Sequence, residues 1–343
     1  MKRNFLKTAA FLFMGIIATM AFTACSNDPE NPQDERKNKL HEDPAKMEIQ
    51  LVECHLHTAW ENIQEVGGPH QNTESDKTKY MKKIQTITYQ NVEGKGWQLA
   101  EGSPKKFYVM KNGEYYNGSG ANKEFQPAPV YLLFIKYYNT AGKLINQEFM
   151  TEDQARIHQH FFTPVNVKSF VDGKPETDNA DKSELVDYLY TDTTPWDGTK
   201  HEGTAKITGK ENPVGFKGVI RFLKNDKEFD LRIRLYHGYK GKTDPKTNKF
   251  CPFNKPSGSL IQAGTWDVNV DVPFIVYMDR NEMSVDVDED ADLSKLKESD
   301  FDEDSNPTLH RIMKAFGITW AEALHEYYYY TYTPGPGKGG IWL

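Results

Sequence analysis

The chain has 343 residues, of which 38% are hydrophobic and 27% are charged, and its formal net charge at pH 7 is −7. An acidic balance of this kind disfavours binding to nucleic acid or to anionic lipid through a broad basic face, so we expect no nucleic-acid partner. The length allows two domains or one large β domain.

The first residues have the pattern of an export signal. Lys2, Arg3 and Lys7 form a basic start, and an apolar run from Ala9 to Ala21 follows them. This run has the length of the hydrophobic part of a signal peptide and is too short to span a bilayer comfortably. It ends in the sequence Phe-Thr-Ala-Cys at residues 22–25, which resembles a bacterial lipoprotein signal.

The resemblance extends to the polar, acidic residues 26–30, which are similar to the start of surface lipoproteins of the Bacteroidetes type. It implies that residues 1–24 are removed and that Cys25 is acylated. Because several acyl chains hold a protein stably, the implied location is the outer membrane, on its periplasmic or cell-surface side, with the membrane as partner through the lipid anchor. Residues 25–46 are rich in charge and proline and predict a flexible tether.

A strand with a reversed apolar pattern follows. In the segment 47–57, apolar residues occupy the odd positions up to Leu51 and the even positions after it. We interpret this reversal as a bulge, or as a strand that crosses from one face to another, near Leu51. Since successive strand side chains point to opposite faces, Glu53, His55 and His57 share one face.

A second His-x-His pair, His158 and His160, lies in a later apolar stretch. Neutral imidazoles suit zinc, copper, nickel or iron. If the two pairs meet on neighbouring strands, they supply four ligands to one metal site. Glu53 is then a further ligand or a hydrogen-bond partner of one. The alternative is that these histidines are polar residues of a solvated sheet face.

Zinc or copper suits this set of ligands best, and iron is a further choice. Haem held by two axial histidines is the other alternative, although the chain has no Cys-x-x-Cys-His attachment motif. Of the remaining histidines, His237 follows apolar strand residues and is predicted to be a hydrogen-bonded core residue. His201 can join a site only through tertiary contact. His310 and His325 are predicted at the surface of terminal helices.

The rest of the chain predicts many short strands, separated by turns that contain glycine and asparagine, and then two helices. We therefore expect a mainly β protein, an antiparallel β-sandwich that is one large unit or two in tandem, with a short C-terminal helical pair. The predicted segments are a first β domain with the His-x-His pairs at 47–164, a second β region at 165–281, an acidic linker at 282–305, and C-terminal helices with an aromatic tail at 306–343.

Three local features refine this picture. Residues 222–229 read as a hairpin turn between two strands. A cap at Asn306 and a stop at Gly317 delimit the first terminal helix, and Thr319 with Glu322 begins the second. After Cys25, the two remaining cysteines, Cys54 and Cys251, either form a disulfide or are two buried thiols.

Known enzyme motifs are absent: the sequence has neither a Gly-x-Ser-x-Gly elbow nor a His-Glu-x-x-His zinc helix. We therefore expect a binding protein rather than an enzyme. The leading hypothesis is a lipid-anchored cell-envelope protein that captures a transition metal or a metal complex and passes it to an outer-membrane transporter. The alternatives are a surface adhesin or structural lipoprotein, and a carbohydrate-binding lipoprotein.

Overall fold

Strands form the larger part of the regular secondary structure. The computed structural model describes residues 40–72, 78–112, 129–176, 184–287, 291–328 and 340–343. The predicted signal peptide, Cys25 and the tether up to residue 39 lie outside the described residues. Among the described residues, no helix combines the length and the apolar character needed to cross a bilayer.

The strands are β1 (Lys46–Leu56), β2 (Pro69–Asn72), β3 (Ile84–Val92), β4 (Gly96–Leu99), β5 (Phe107–Met110), β6 (Val130–Tyr138), β7 (His158–Ser169), β8 (Val186–Tyr190), β9 (Thr193–Thr194), β10 (Lys206–Ile207), β11 (Lys217–Phe222), β12 (Lys227–Gly238), β13 (Gly264–Tyr277) and β14 (Gly340–Trp342). The helices are α1 (Ile63–Val66), α2 (Asn146–Phe149), α3 (Glu152–Ala155), α4 (Gly258–Gln262), α5 (Asn306–Phe316) and α6 (Trp320–Tyr328).

Two sheets contain most of these strands. In the larger sheet the order is β14-β2-β1-β6-β11-β8, and β3 pairs with β1 and β4. In the smaller sheet the order is β5-β13-β12-β7. The pairs are antiparallel apart from β5 with β13, which run parallel.

The two sheets bury one shared core between them. Ile49, Leu133 and Ile220 from the larger sheet belong to the same apolar cluster as Phe162 and Leu231 from the smaller one, and all five are fully buried. Removal of this apolar surface from water is the main force that stabilises such a fold. The predicted fold class, a mainly β sandwich, is confirmed.

Strands from both predicted β regions share the two sheets. β6 pairs with β11 in the larger sheet, and β7 pairs with β12 in the smaller one. The predicted boundary after residue 164 falls inside β7, and residues 41–343 form one compact unit. The segments 47–164 and 165–281 therefore build one sandwich together.

The ladder along β1 is regular, so the predicted bulge near Leu51 is not present. Pairing with β6 runs without a shift from Lys46 opposite Tyr138 to Cys54 opposite Val130. The reversed pattern has another cause. From Val52 onward the outer face of β1 is covered by a second apolar cluster, which includes Trp60, Ile63 and Leu343.

The turn at 222–229 connects the two sheets and does not close the predicted hairpin. β11 lies between β6 and β8 in the larger sheet, whereas β12 lies between β7 and β13 in the smaller one. Because both edges of each strand are already paired, the two strands cannot pair with each other. Sequence patterns show the turn but not which sheet receives each strand.

The two predicted terminal helices are confirmed. The N-cap residue of α5 is Ser305, however, and the predicted cap, Asn306, is the first residue of the helix. Gly317 ends α5 with φ of 64°, in the left-handed region that favours glycine. Thr319 and Glu322 are reciprocally hydrogen-bonded at the start of α6. Both helices pack against the end of the smaller sheet in a cluster that includes Tyr277 and Tyr327.

Part of the predicted acidic linker, residues 282–305, packs against the same apolar cluster. Val285, Val287, Leu293 and Leu296 are partly buried against it, while residues 288–290 lie outside the described residues. In the predicted aromatic tail, residues 329–339 are likewise outside them, and Gly340–Trp342 forms β14.

Cys54 and Cys251 are free, buried thiols, so the alternative without a disulfide holds. They belong to different apolar clusters. Burial raises the pKa of the Cys54 thiol, which keeps it protonated.

The turn between the sheets yields a stability prediction. Asp226 has φ of 57°, and among the described residues its buried Oδ1 has no hydrogen-bond partner. Burial, aided by the nearby Asp304 carboxylate, raises the pKa of the Asp226 carboxyl from 3.8 to about 6. The folded protein therefore favours the protonated form, and above pH 6 it has to bury a carboxylate.

Asp226→Asn removes this penalty, and asparagine tolerates the left-handed conformation. We expect the free energy of unfolding at pH 7 to rise by about 1 kcal/mol, after allowance for solvent screening of a half-exposed group. The gain should shrink as the pH falls from 6 towards 4, because the wild-type carboxyl then protonates. Urea unfolding at several pH values measures this, with the exposed Asp153→Asn as control. A gain that does not depend on pH would contradict the explanation.

Candidate metal centres

The histidines gather in two places. Among the described residues, two groups of three or more potential ligands have ligand atoms within 4.8 Å of one another. The buried group consists of His41, His158, His237 and Asp267. The open group consists of His55, His57 and His70. The two predicted His-x-His pairs thus contribute to separate groups.

The residues of the buried group come from three adjacent strands, β7, β12 and β13, and from the segment that precedes β1. His158 begins β7 and lies directly opposite His237 near the end of β12. Asp267 lies on β13, where the pairing with β12 shifts by one residue between Leu235 and Tyr236. Asp267 lies at this bulge, between Trp266, which is opposite Tyr236, and Val268, which is opposite Leu235. Bulges commonly redirect a side chain next to a site, and this one brings the carboxylate to the two histidines.

The distances in the buried group are compatible with a set of metal ligands. Oδ2 of Asp267 lies 3.1 Å from Nδ1 of His237 and 3.6 Å from Nε2 of His158. The ring centroids of His158 and His237 are 4.4 Å apart, and that of His41 is 5.0 Å from that of His158. In a tetrahedral zinc site, metal–nitrogen bonds of about 2.0–2.1 Å place neighbouring ligand atoms about 3.3 Å apart.

Backbone carbonyls fix the tautomers of two of these rings. Nδ1 of His158 lies 2.9 Å from the carbonyl oxygen of Gln154, at the end of α3, and Nδ1 of His41 lies 3.1 Å from that of Glu42. Because a carbonyl oxygen only accepts, Nδ1 donates in both rings, and Nε2 of each neutral ring carries the lone pair. Histidine ligands are oriented in this way in metal sites.

One nitrogen of His158 is buried and has no hydrogen bond among the described residues. This nitrogen is Nε2, and the whole side chain is fully buried. A buried polar atom left in this state costs about 1–3 kcal/mol, which a bound cation offsets. Burial also lowers the pKa of His158, so the ring stays in the neutral form that binds metal.

His160 and Glu53, two of the predicted ligands, belong to neither group. Nδ1 of the fully buried His160 donates to the carbonyl of Val214 at 2.9 Å, and Nε2 accepts from the hydroxyl of Tyr137 at 2.8 Å. Burial lowers the pKa of His160 to about 3. The carboxylate of Glu53 lies 3.4 Å from the Tyr131 hydroxyl and 3.8 Å from the Arg280 guanidinium. Both residues have their polar atoms engaged elsewhere.

The open group lies at the other end of β1. His55 and His70 are cross-strand neighbours on β1 and β2, and His57 follows the last residue of β1. Nε2 of His55 lies 2.9 Å from Nε2 of His57 and 3.2 Å from Nδ1 of His70. Burial, and then the adjacent His57 and His70 rings, lower the pKa of His55 to about 4, so this ring is neutral at pH 7.

Aromatic stacking fixes one side of the open group. The ring of Trp342, on β14, stacks on His70 with centroids 3.9 Å apart and on His201 with centroids 3.8 Å apart. Two imidazole rings cannot lie this close to the same face of the indole and nearly parallel to it. His70 and His201 therefore lie on opposite faces of Trp342. A side-chain carbon at Gly340 would lie 2.5 Å from Nε2 of His70, so this close approach of β14 requires glycine.

Sequence reasoning missed several members of the two groups. His41 falls in the stretch that reads as a polar tether, yet it is buried. His237 is the hydrogen-bonded core histidine that was predicted, and its partner is Asp267. His201 lies beside the open group, where its ring stacks on Trp342, so it reaches the group through tertiary contact as predicted. His70 and Asp267 have no local signal that could have identified them.

A buried lysine holds the backbone next to the buried group. Nζ of Lys242 donates to the carbonyls of Ala155, His158 and Pro213 at 2.5, 3.1 and 2.6 Å. The fully buried Asp192 carboxylate accepts from the four backbone N–H groups of residues 214–217. Burial lowers the pKa of Lys242, and the Asp192 carboxylate opposes this shift.

Comparisons of the chain with models of protein families, with curated proteins and with solved structures find no match. The geometry of its own residues is therefore the basis for a function. On that geometry, the His/Asp set of the buried group can hold a metal ion.

The role of Lys242 yields a prediction. Lys242→Met leaves three buried carbonyls unpaired and a buried Asp192 charge less well compensated. We expect a loss of about 3 kcal/mol in the free energy of unfolding. Urea unfolding measures it, and the exposed Lys249→Met should change the value by less than about 0.5 kcal/mol. Equal effects of the two substitutions would show that the Lys242 contacts contribute no stability.

Proposed function

We propose that this protein is a lipid-anchored cell-envelope binding protein that captures a transition metal in the buried group. The observation that carries the proposal is Nε2 of His158. This nitrogen is fully buried, makes no hydrogen bond among the described residues, and faces the Asp267 carboxylate at 3.6 Å. Three neutral imidazoles and one carboxylate carry one negative charge together, which compensates part of the charge of a divalent cation.

The donor set favours zinc, and copper is the next choice. Three nitrogens and one carboxylate oxygen in a closed, four-ligand arrangement are typical of zinc, while the absence of a sulfur ligand in the group disfavours copper(I). Iron accepts the same donors. Haem fits less well, because the rings of His158 and His237, with centroids 4.4 Å apart, leave no room for a porphyrin between them.

Burial supports a binding role over a catalytic one. His41, His158 and His237 are all buried, and the Asp267 side chain is only 13% exposed. A catalytic zinc site keeps a coordination position open to substrate, whereas a closed set of four ligands retains its metal. With the lipoprotein-like signal, this favours capture at the outer membrane and delivery to a transporter there.

The metal content of the mature protein tests the proposal. Protein starting after Cys25 is stripped with chelator, reloaded with Zn²⁺ or Cu²⁺, and analysed by mass spectrometry. We expect His158→Gln and Asp267→Asn each to lose one equivalent of metal relative to the wild type. His310→Gln, an exposed histidine outside both groups, is the matched control and should lose none.

Thermal unfolding gives a second readout. Zinc at about 100 times its dissociation constant should stabilise the wild type by about 2.7 kcal/mol, and this part of the stabilisation should be absent in Asp267→Asn. Asp267→Asn keeps the shape of the side chain, so it guards against a variant that fails to fold. If the wild type and both variants bind equal amounts of metal, the buried group is not a metal site. The adhesin and carbohydrate-binding hypotheses then take precedence.

A further inference from the structure

We propose that the open group is a second, independent metal site, which binds a first-row divalent cation at the protein surface and exchanges it with solvent. This inference extends the proposed function, since both concern metal capture. It stands on different residues, however, and each can fail without the other.

The nitrogens of the open group converge on one point. Nε2 of His55 lies within hydrogen-bond distance of a nitrogen of His57 and of His70, at 2.9 and 3.2 Å. These spacings are close to the separation of about 3.3 Å between ligand atoms of a tetrahedral site with metal–nitrogen bonds of about 2.0–2.1 Å. A small shift of the rings allows all three lone pairs to point at a single cation.

Without a cation, this arrangement is poorly satisfied. An imidazole nitrogen carries either one proton or one lone pair, so Nε2 of His55 cannot donate to both of its neighbours. A divalent cation replaces these imidazole–imidazole contacts by three equivalent bonds.

The donor set defines the class of ligand. Three imidazole nitrogens without carboxylate or thiolate suit Cu²⁺, Ni²⁺ or Zn²⁺ and discriminate against Ca²⁺ and Mg²⁺, which require oxygen ligands. Three protein ligands leave a fourth position for water or for a donor atom of an incoming small ligand. His57 is exposed, so this position faces solvent.

The surrounding residues hold the site in shape. Trp342 lies between His70 and His201 and prevents rotation of the His70 ring. His55 and His70 are fixed by cross-strand pairing. Because the ligands are nearly preorganised while one side is open, the site binds metal after only a small shift of the rings and releases it more readily than the buried group.

The open group and the buried group are associated with opposite ends of β1. His41 precedes β1 and His55 is near its end, and the strand from Lys46 to His55 spans about 30 Å at about 3.3 Å per residue. The two groups share no residue. A substitution in one group should therefore leave metal binding at the other unchanged.

The test titrates Cu²⁺ into the chelator-stripped mature protein and its variants, with metal stoichiometry and tryptophan fluorescence as readouts. We expect two equivalents in the wild type, one in Asp267→Asn, and one in the double variant His57→Gln/His70→Gln. The single variant His57→Gln, at an exposed position, should weaken the site by more than about tenfold, since even outer partners of a metal ligand contribute about 10–100-fold. His310→Gln is again the control.

Fluorescence identifies the site, because Cu²⁺ quenches a tryptophan in contact with its ligands. We compare Asp267→Asn with the double variant Asp267→Asn/Trp342→Phe. Bound Cu²⁺ should quench the Trp342 part of the emission in the first protein, and this quenching should be missing in the second. If His57→Gln/His70→Gln binds as much Cu²⁺ as the wild type, the inference is overturned. If metal is lost in that variant but not in Asp267→Asn, the open site stands and the buried-group proposal fails.

Discussion

The end of the sandwich that contains the buried group depends on the carboxylate of Asp192. Four backbone N–H groups of residues 214–217 donate to it, which fixes that segment in the core. The segment then positions its neighbours: the carbonyl of Val214 accepts from His160, and that of Pro213 accepts from Lys242. A buried carboxylate is tolerated only with such bonding, so this backbone geometry is tightly constrained. Through Lys242 the constraint reaches the backbone of His158.

The two histidines of β7 show how neighbouring groups decide the role of the same side chain. His158 and His160 are both fully buried on the same strand face. His160 finds a partner for each nitrogen, and it therefore acts as a structural crosslink between β7, the Val214 segment and Tyr137. Among the described residues, His158 makes a hydrogen bond through Nδ1 and none through Nε2, which faces Asp267. The same burial that stabilises one ring leaves the other able to bind a cation.

Local sequence patterns predicted the parts of the structure that depend on local physics. Alternation along β1 correctly indicated a strand. Gly317 correctly marked the end of the first terminal helix, and Thr319 with Glu322 the start of the second. Strand order is a non-local property, and nothing in the spacing of two His-x-His pairs reveals that β1 and β7 lie in different sheets. Asp267 reaches its site through a bulge that only the pairing with β12 reveals. His41 looks like part of a polar tether until tertiary packing buries it.

The separation of the two groups limits how they can act together. The two ligand sets share no residue, so a cation has to leave one set before the other can bind it. The stretch of β1 from Lys46 to His55 spans about 30 Å, whereas the screening length at physiological salt is about 8 Å, so we expect weak electrostatic coupling between the groups. Loading of one group should therefore not change the affinity of the other. If both groups bind metal, the protein carries a retaining site and an exchanging site that respond separately to the same free metal concentration.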